Sequence, residues 1–162
     1  MPVPDKVYLS TPSDTSTSAL GVTGEIREHI HETYGKQYYR MVKNTSGSTI
    51  AANLAVVFVT SGTSGSSLEV ALSGAAAPSA TVAGITQNAI ANNEYGWVVC
   101  AGDCLATSAA AVDVSTLATA MTAASGELDD TAISTKEHCI IGVFLADKAS
   151  GGTVRTRISG LM

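Results

Sequence analysis

Apolar residues occur in short runs along this chain, and segments rich in glycine and small polar residues separate the runs. The densest run covers residues 95–101 and contains the chain's single tryptophan, Trp97. Its aromatic and β-branched side chains suit a pleated surface. Side chains alternate between the two faces of a strand, and neither the face of Trp97 and Val99 nor that of Val98 and Cys100 is strongly polar. The pattern therefore predicts a strand that is covered on both faces.

Similar runs predict further short strands. They cover residues 54–60, 68–72, 81–85, 138–146 and 153–159. After Gly102 and Asp103 we expect a turn that brings residues 104–107 back to pair as a hairpin. The last run alternates cleanly between two faces. One face carries Val154, Thr156 and Ile158, and the other carries Arg155, Arg157 and Ser159.

Residues 24–43 are compatible with two structures. In the first, Ile26 and Ile30 share one face of a helix that a glycine ends. In the second, residues 26–32 and 37–43 form a β-hairpin, because the second segment is rich in strand-forming residues and the linker contains glycine. We predict the hairpin.

Residues 109–130 give the weakest pattern. The alanine content of 117–121 is compatible with a helix, but Thr, Ser and Val interrupt the region, and Ser125 with Gly126 resembles a hairpin turn. We predict strands here as well. The whole pattern predicts an all-β fold, a single compact β-sandwich or barrel-like domain of short antiparallel strands.

An extended N-terminal arm is expected to precede this domain. Residues 1–20 hold three prolines and many Ser and Thr, with little periodicity, so we place the arm at 1–20 and the β-rich domain at 21–162. The arm is either a disordered terminus or a segment that orders on a partner. In the second case its apolar triplet makes the contacts: Val7, Tyr8 and Leu9.

The amino-acid composition limits the classes of function that this protein can have. Charged residues make up 14% of the 162 residues, well below the roughly 25% of ordinary domains. Small neutral residues replace them, which is common in proteins that bury much of their surface against neighbours. The net charge of −5 disfavours nucleic-acid binding. No apolar run is long enough to span a membrane, and the N-terminus shows no apolar signal core, so we expect a protein made in the cytoplasm with neither nucleic acid nor membrane as a partner.

Candidate catalytic and metal-binding residues are sparse. His29 and His31 point the same way on a strand, but two histidines alone do not close a metal site. The three cysteines lack regular spacing, so we expect buried reduced thiols, with a disulfide or a metal as the less favoured alternatives. Asp113, Asp129 and Asp130 match no calcium-loop spacing, and no nucleophile elbow or phosphate-binding loop occurs. The sequence predicts a non-enzymatic protein without cofactor or metal.

Two further groups of residues have competing interpretations. Tyr95, Trp97 and Val99 are expected to anchor the core, because a large aromatic side chain dominates the core it enters. The alternative places Trp97 at the surface, where it stacks on a sugar or a base. Arg155 and Arg157 share a face of the last strand, where they either meet an acidic partner surface or only charge an exposed edge.

Two segments together point to a known family. The first is Gln37-Tyr-Tyr-Arg-Met-Val-Lys43 with Thr49-Ile-Ala-Ala-Asn-Leu-Ala-Val-Val57, and the second is Val82-Ala-Gly-Ile-Thr-Gln-Asn-Ala-Ile90 followed by Tyr95-Gly-Trp-Val98. They resemble the small structural proteins of tailed bacteriophages that are encoded near the major capsid protein, some of which are head decoration, or cement, proteins. In the first segment Met41 replaces a second aromatic residue, and Asn53 with Leu54 replaces Gly-Asp. The second segment matches the family pattern more closely.

The resemblance implies a β-rich virion protein, made in the host cytoplasm, that binds the outer surface of the expanded capsid. It also implies the major capsid protein as partner, a homotrimer, and stabilised contacts between capsid subunits. The family pattern is structural, so no catalytic residue carries over. One alternative is another phage structural protein, such as a head fibre base or a tail component. The other is a carbohydrate-binding module that uses Trp97, Tyr38 and Tyr39.

Overall fold

A computed structural model describes residues 11–59, 68–72, 82–120, 126–129 and 140–159. Within these ranges the chain forms ten β-strands and no helix, which confirms the all-β prediction. The strands are β1 (Ile26–His31), β2 (Gly35–Asn44), β3 (Ala55–Phe58), β4 (Glu69–Leu72), β5 (Val82–Thr86), β6 (Tyr95–Ser108), β7 (Leu117–Ala120), β8 (Leu128–Asp129), β9 (Ile140–Phe144) and β10 (Gly152–Ile158).

The strands form one continuous hydrogen-bonded sheet in the order β1-β2-β4-β3-β5-β6-β10-β9-β7-β8, and β2 and β8 also pair with β6. The first half of β6 pairs with β2 and β5, and its second half pairs with β10. We call β1 to β5 with the first half of β6 the N-terminal sheet half. The remaining strands with the second half of β6 are the C-terminal sheet half. β6 is thus the strand that joins the two halves.

β6 continues without a break from Tyr95 to Ser108, so the turn predicted at Gly102 and Asp103 is wrong. Gly102 has a φ of +103°, and a Cβ at this position would lie 2.5 Å from the carbonyl oxygen of Lys36. Because glycine tolerates this dihedral and leaves room for the approaching main chain, the strand changes course here without reversing. Residues 104–107 consequently pair with β10 and not with the preceding run.

Two hydrophobic clusters pack against the N-terminal sheet half. The first cluster draws side chains from both halves, among them Trp97 and Val99 of β6 and Phe144 of β9. The second cluster contains Val98 of β6 and Val42 of β2 on the opposite face. The central run is therefore covered on both faces, as predicted. The two sheet halves enclose the first cluster between them, which gives the domain its sandwich character.

β1 and β2 form the predicted hairpin, and the helix alternative is wrong. Their antiparallel pairing extends from Ile26 opposite Arg40 to His31 opposite Gly35. Gly35 adopts a φ of +72° where the turn rejoins the strand, a conformation typical of three-residue hairpin loops. β2 continues inward and is buried at Met41, whereas the side chains of β1 are mostly exposed.

The strand predictions for the C-terminal part are confirmed where the structure describes them. Within 109–130, β7 and β8 pair antiparallel, and β7 also pairs with β9. β10 alternates as expected: Val154, Thr156 and Ile158 are buried, and the arginines between them are exposed.

Candidate interaction surfaces

The two arginines of β10 converge on one carboxylate. Nε of Arg157 lies 2.7 Å from Oδ1 of Asp103, and Nη2 of Arg155 lies 2.8 Å from Oδ2. The β6–β10 register places Arg157 directly opposite Asp103 and Arg155 two residues away on the same face. The Asp103 side chain is 9% exposed, while those of Arg155 and Arg157 are 43% and 60% exposed. We call these three residues the Asp103 cluster.

Hydrogen bonds keep the Asp103 cluster ionised. The hydrogen bond from Arg157, and after it the one from Arg155, holds the pKa of Asp103 below its ordinary value, against the opposing effect of burial. With two cations and one anion, the cluster carries one excess positive charge. The exposed parts of both guanidinium groups therefore remain able to contact an acidic group outside the chain.

Sequence reasoning missed Asp103 because the residue was assigned to a turn. A pattern was present: Asp103 lies within a run of small and apolar residues, where an ionised carboxylate needs a cationic partner. The sequence contains one Arg-x-Arg pair, Arg155 and Arg157, on a strand with clear alternation. Only the pairing of β6 with β10 shows that these features belong together.

The described part of the arm lies against the domain. The predicted contact residues of the arm lie outside the described residues: Val7, Tyr8 and Leu9. Ser16 and Tyr95 exchange two main-chain hydrogen bonds, with N···O distances of 3.1 and 2.8 Å. Leu20 is partly buried against the first hydrophobic cluster. Residues 11–20 therefore contact the β-domain at two points, through main-chain hydrogen bonds at Ser16 and through apolar packing at Leu20.

The three expected core residues have different environments. Trp97 and Val99 lie in the first hydrophobic cluster and are 3% and 0% exposed. Tyr95 is only partly buried, and the Nζ atom of Lys43 lies 5.7 Å from its ring centroid. The guanidinium carbon of Arg27 lies 4.6 Å from the centroid of the Trp97 ring. A ring that is so deeply buried and also covered by a cation offers no open face to a sugar.

The other two aromatic residues of the carbohydrate-binding alternative do not provide a surface either. Tyr39 is 3% exposed, and its hydroxyl donates a hydrogen bond to Oε1 of Gln37 at 2.9 Å. Tyr38 is its neighbour on β2 and therefore faces the opposite side of the sheet. Trp97, Tyr38 and Tyr39 do not form a common stacking surface.

A groove of about 620 Å³ lies between residues 11–13 and the β1–β2 hairpin. His29 and His31 both line this groove, and the ring centroids of His31 and Tyr34 are 4.6 Å apart. In the described part of the chain no group of three metal-ligating side chains occurs. Other polar groups of the groove form hydrogen bonds within the chain. For example, Nε2 of Gln87 donates to the main-chain carbonyl of Leu105.

These features define a sandwich-like all-β domain with a partly exposed cationic cluster, a surface groove and a docked N-terminal segment. Among solved structures, the chain is similar to the head fiber gp8.5 N base in bacteriophage phi29, with a TM-score of 0.53. The two are 13% identical, and the match covers 75% of this chain and 92% of that chain. At this identity the likeness shows a shared fold alone.

Comparison with family models and with curated proteins found no match. In the described residues no helix is long and apolar enough to cross a membrane.

Proposed function

We propose that this chain is a structural protein of a bacteriophage virion that binds the outer surface of the head and stabilises contacts between major capsid subunits. The observation that carries the proposal is the fold shared with a phi29 head fiber base over 92% of that chain. The sequence resemblance supports it separately. Its two segments include most of β2, β3 and β5 and the start of β6, and these strands contribute side chains to the two hydrophobic clusters.

The proposed role is mechanical and not chemical. A protein that spans the boundary between two capsid subunits adds buried surface there, and that surface must be exposed again before the subunits separate. Arg155 and Arg157 offer partly exposed cationic side chains to acidic groups of a partner. The arm offers main-chain groups that pair with a neighbouring strand without needing a deep pocket.

Co-sedimentation of the purified protein with empty phage heads, expanded and unexpanded in parallel, tests the proposal. We expect saturable binding to expanded heads, with a fixed number of copies per head. Absence of binding to both forms would contradict head binding and favour a tail location, which immunogold labelling of virions would then show.

The arm is tested by deleting residues 1–10. This deletion leaves both the Ser16–Tyr95 pairing and the packing of Leu20 in place. We therefore expect the variant to keep its unfolding midpoint and to bind heads more weakly. A matched variant that begins at Gly21 loses both contacts and should lose stability as well. Unchanged head binding by the shorter deletion would refute a role for the arm.

The base of a head fibre is a second candidate, because the matching solved structure is itself a head fiber base. A fibre base and a decoration protein both bind the head, so binding alone does not separate them. Electron microscopy of labelled virions does. Label spread evenly over the shell supports decoration, whereas label at the origin of projecting fibres supports a fibre base.

A further inference from the structure

Exposed apolar side chains concentrate on one edge of the sheet. In the described residues four large hydrophobic side chains are exposed, and three of them lie on β1 or just before it. Ile26 is 39% exposed, Ile30 is 73% exposed and Val22 is 75% exposed. Among the described strands only β2 pairs with β1. An edge strand with exposed apolar side chains favours pairing with a further strand.

The main chain of β1 is oriented for such pairing. The amide of Met41 donates to the carbonyl of Glu25 at 3.0 Å, so this carbonyl faces β2. Hydrogen-bonding groups alternate in direction along an antiparallel strand. Those of the next even-numbered residues therefore face away from β2, at Ile26, Glu28 and Ile30.

We propose that β1 pairs antiparallel with β1 of a second copy of this chain, about a two-fold axis at Glu28. In this register all three outward-facing residues meet outward-facing residues, as an antiparallel ladder requires. Ile26 of each copy lies opposite Ile30 of the other. The interface therefore contains two equivalent Ile26–Ile30 pairs, which cover all four exposed isoleucine side chains. Such a self-complementary contact is the usual form of a symmetric dimer interface.

Neighbouring registers are chemically poorer. Shifting the axis to His29 places Ile30 opposite Glu28 and faces the two copies of His29 towards each other. Shifting it to Arg27 places Ile26 opposite Glu28. Neither register forms an apolar cross-strand pair, and such pairs are what stabilise a sheet.

The chosen register brings two Glu28 side chains together, and the chain already supplies their counter-charge. Nζ of Lys36 lies 2.8 Å from Oε2 of Glu28 on the same face of the hairpin. Two such ion pairs at the axis form the series Lys36, Glu28, Glu28, Lys36, in which each carboxylate has its own cation. Repulsion across the axis is reduced accordingly.

The contact is small, so we expect weak association in solution. Pairing of two six-residue strands buries much less than the roughly 800 Å² per partner of a standard interface. When subunits are held side by side on a common surface, their high effective concentration strengthens such a weak pairing. The inference itself does not require head binding, since the pairing is measured on the isolated protein.

Cysteine cross-linking tests the register. Glu28→Cys places two thiols opposite each other at a Cα distance of about 5.5 Å, which suits a disulfide. Ile30→Cys is the matched control, because its two copies lie four residues apart along the strands, about 13 Å. Under mild oxidation we expect a disulfide dimer from Glu28→Cys and from the double variant Ile26→Cys/Ile30→Cys. We expect none beyond that of the parent protein from Ile30→Cys alone.

Sedimentation velocity over the micromolar to millimolar range provides the second measurement. We expect a concentration-dependent dimer that Ile30→Lys abolishes and that Val114→Lys, at an exposed apolar residue elsewhere, leaves intact. Equal cross-linking of Glu28→Cys and Ile30→Cys would overturn the proposal. So would a protein that stays monomeric at all concentrations, or a trimer that persists in Ile30→Lys.

Discussion

Arg157 and Asp103 face each other across the β6–β10 pairing, with Nε of the arginine 2.7 Å from Oδ1 of the carboxylate. From the other sheet half, Nε2 of the buried Gln37 donates to the main-chain carbonyl of Asp103 at 2.5 Å. Asp103 directly follows Gly102, where β6 changes course. The point at which β6 crosses from one sheet half to the other is therefore bonded to β10 on one side and to β2 on the other.

Replacing Asp103 with Asn should destabilise the domain by about 1–2 kcal/mol. Charge-assisted hydrogen bonds are lost, although the partial exposure of both arginines limits the effect. Asp113→Asn, at an exposed residue, is the control and should leave stability nearly unchanged. Urea unfolding measures both variants. Equal midpoints would show that the Asp103 cluster does not contribute to stability.

The same variant should alter the acid dependence of stability. Because folding lowers the pKa of Asp103, its stabilising contribution is complete above the ordinary value of 3.8 and is lost as the pH falls through the folded pKa. The difference in unfolding free energy between the parent and Asp103→Asn should therefore shrink as the pH is lowered from about 6 to about 3. A difference that stays constant over this range would contradict the assigned ionisation.

Gly102→Ala should be far more destabilising than Gly47→Ala. Both glycines have positive φ, +103° and +86°, so each substitution carries a conformational cost of about 1–2 kcal/mol. A Cβ at Gly47 meets nothing within 4 Å, whereas one at Gly102 lies 2.5 Å from the carbonyl oxygen of Lys36. Thermal unfolding compares the two variants. A similar loss in both would mean that β2 and β6 separate easily at this point.

Stability should fall in alkaline solution. Burial raises the pKa of Tyr39 from 10.0 to about 12, so the neutral hydroxyl stabilises the fold fully below pH 10.0, and this contribution is lost as the pH rises towards 12. Burial also raises the pKa of the Cys100 and Cys104 thiols, which acts in the same direction.

Thermal unfolding between about pH 7 and about pH 11 measures this dependence. Tyr39→Phe should show a smaller loss of stability at high pH than the parent protein, and the conservative variant Tyr38→Phe should show the same loss as the parent. An identical pH profile for the parent and Tyr39→Phe would contradict the role assigned to the buried hydroxyl.

Trp97→Ala should cost about 3–5 kcal/mol, as expected for removal of a buried aromatic side chain. Trp97→Phe keeps most of the volume and should cost less. In the parent protein, the single tryptophan should emit at short wavelength and resist quenching by acrylamide. Its emission should not respond to glycans, and a saturable shift on adding a glycan would restore the carbohydrate-binding alternative.

Local pattern was sufficient to predict much of the fold. The hairpin of β1 and β2 followed from strand-forming residues around a glycine-containing linker, and the buried face of β10 followed from simple alternation. The coverage of both faces of the central run followed from its lack of polar residues. Each of these properties depends on residues that are close together in the sequence, where periodicity and turn chemistry act directly.

The course of β6 could not be predicted in this way. Gly102 followed by Asp103 is equally compatible with a turn and with a change of direction inside a strand. The outcome depends on the main chain at Lys36 and Gln37, which approaches from β2. No local pattern contains that information.

Local sequence pattern was enough to predict an all-β domain, the inward face of β10 and the burial of Trp97 and Val99, because alternation and strand-forming residues act over a few neighbouring positions. Strand pairing across the fold, in contrast, sets the course of β6 through both sheet halves and places Asp103 beside two arginines, 52 and 54 residues further along the chain. The same pairing pattern leaves Ile26 and Ile30 exposed on β1, which among the described strands pairs only with β2. Because strand pairing joins segments that are far apart in the sequence, the partners of a buried charge or of a sheet edge depend on the topology of the whole sheet.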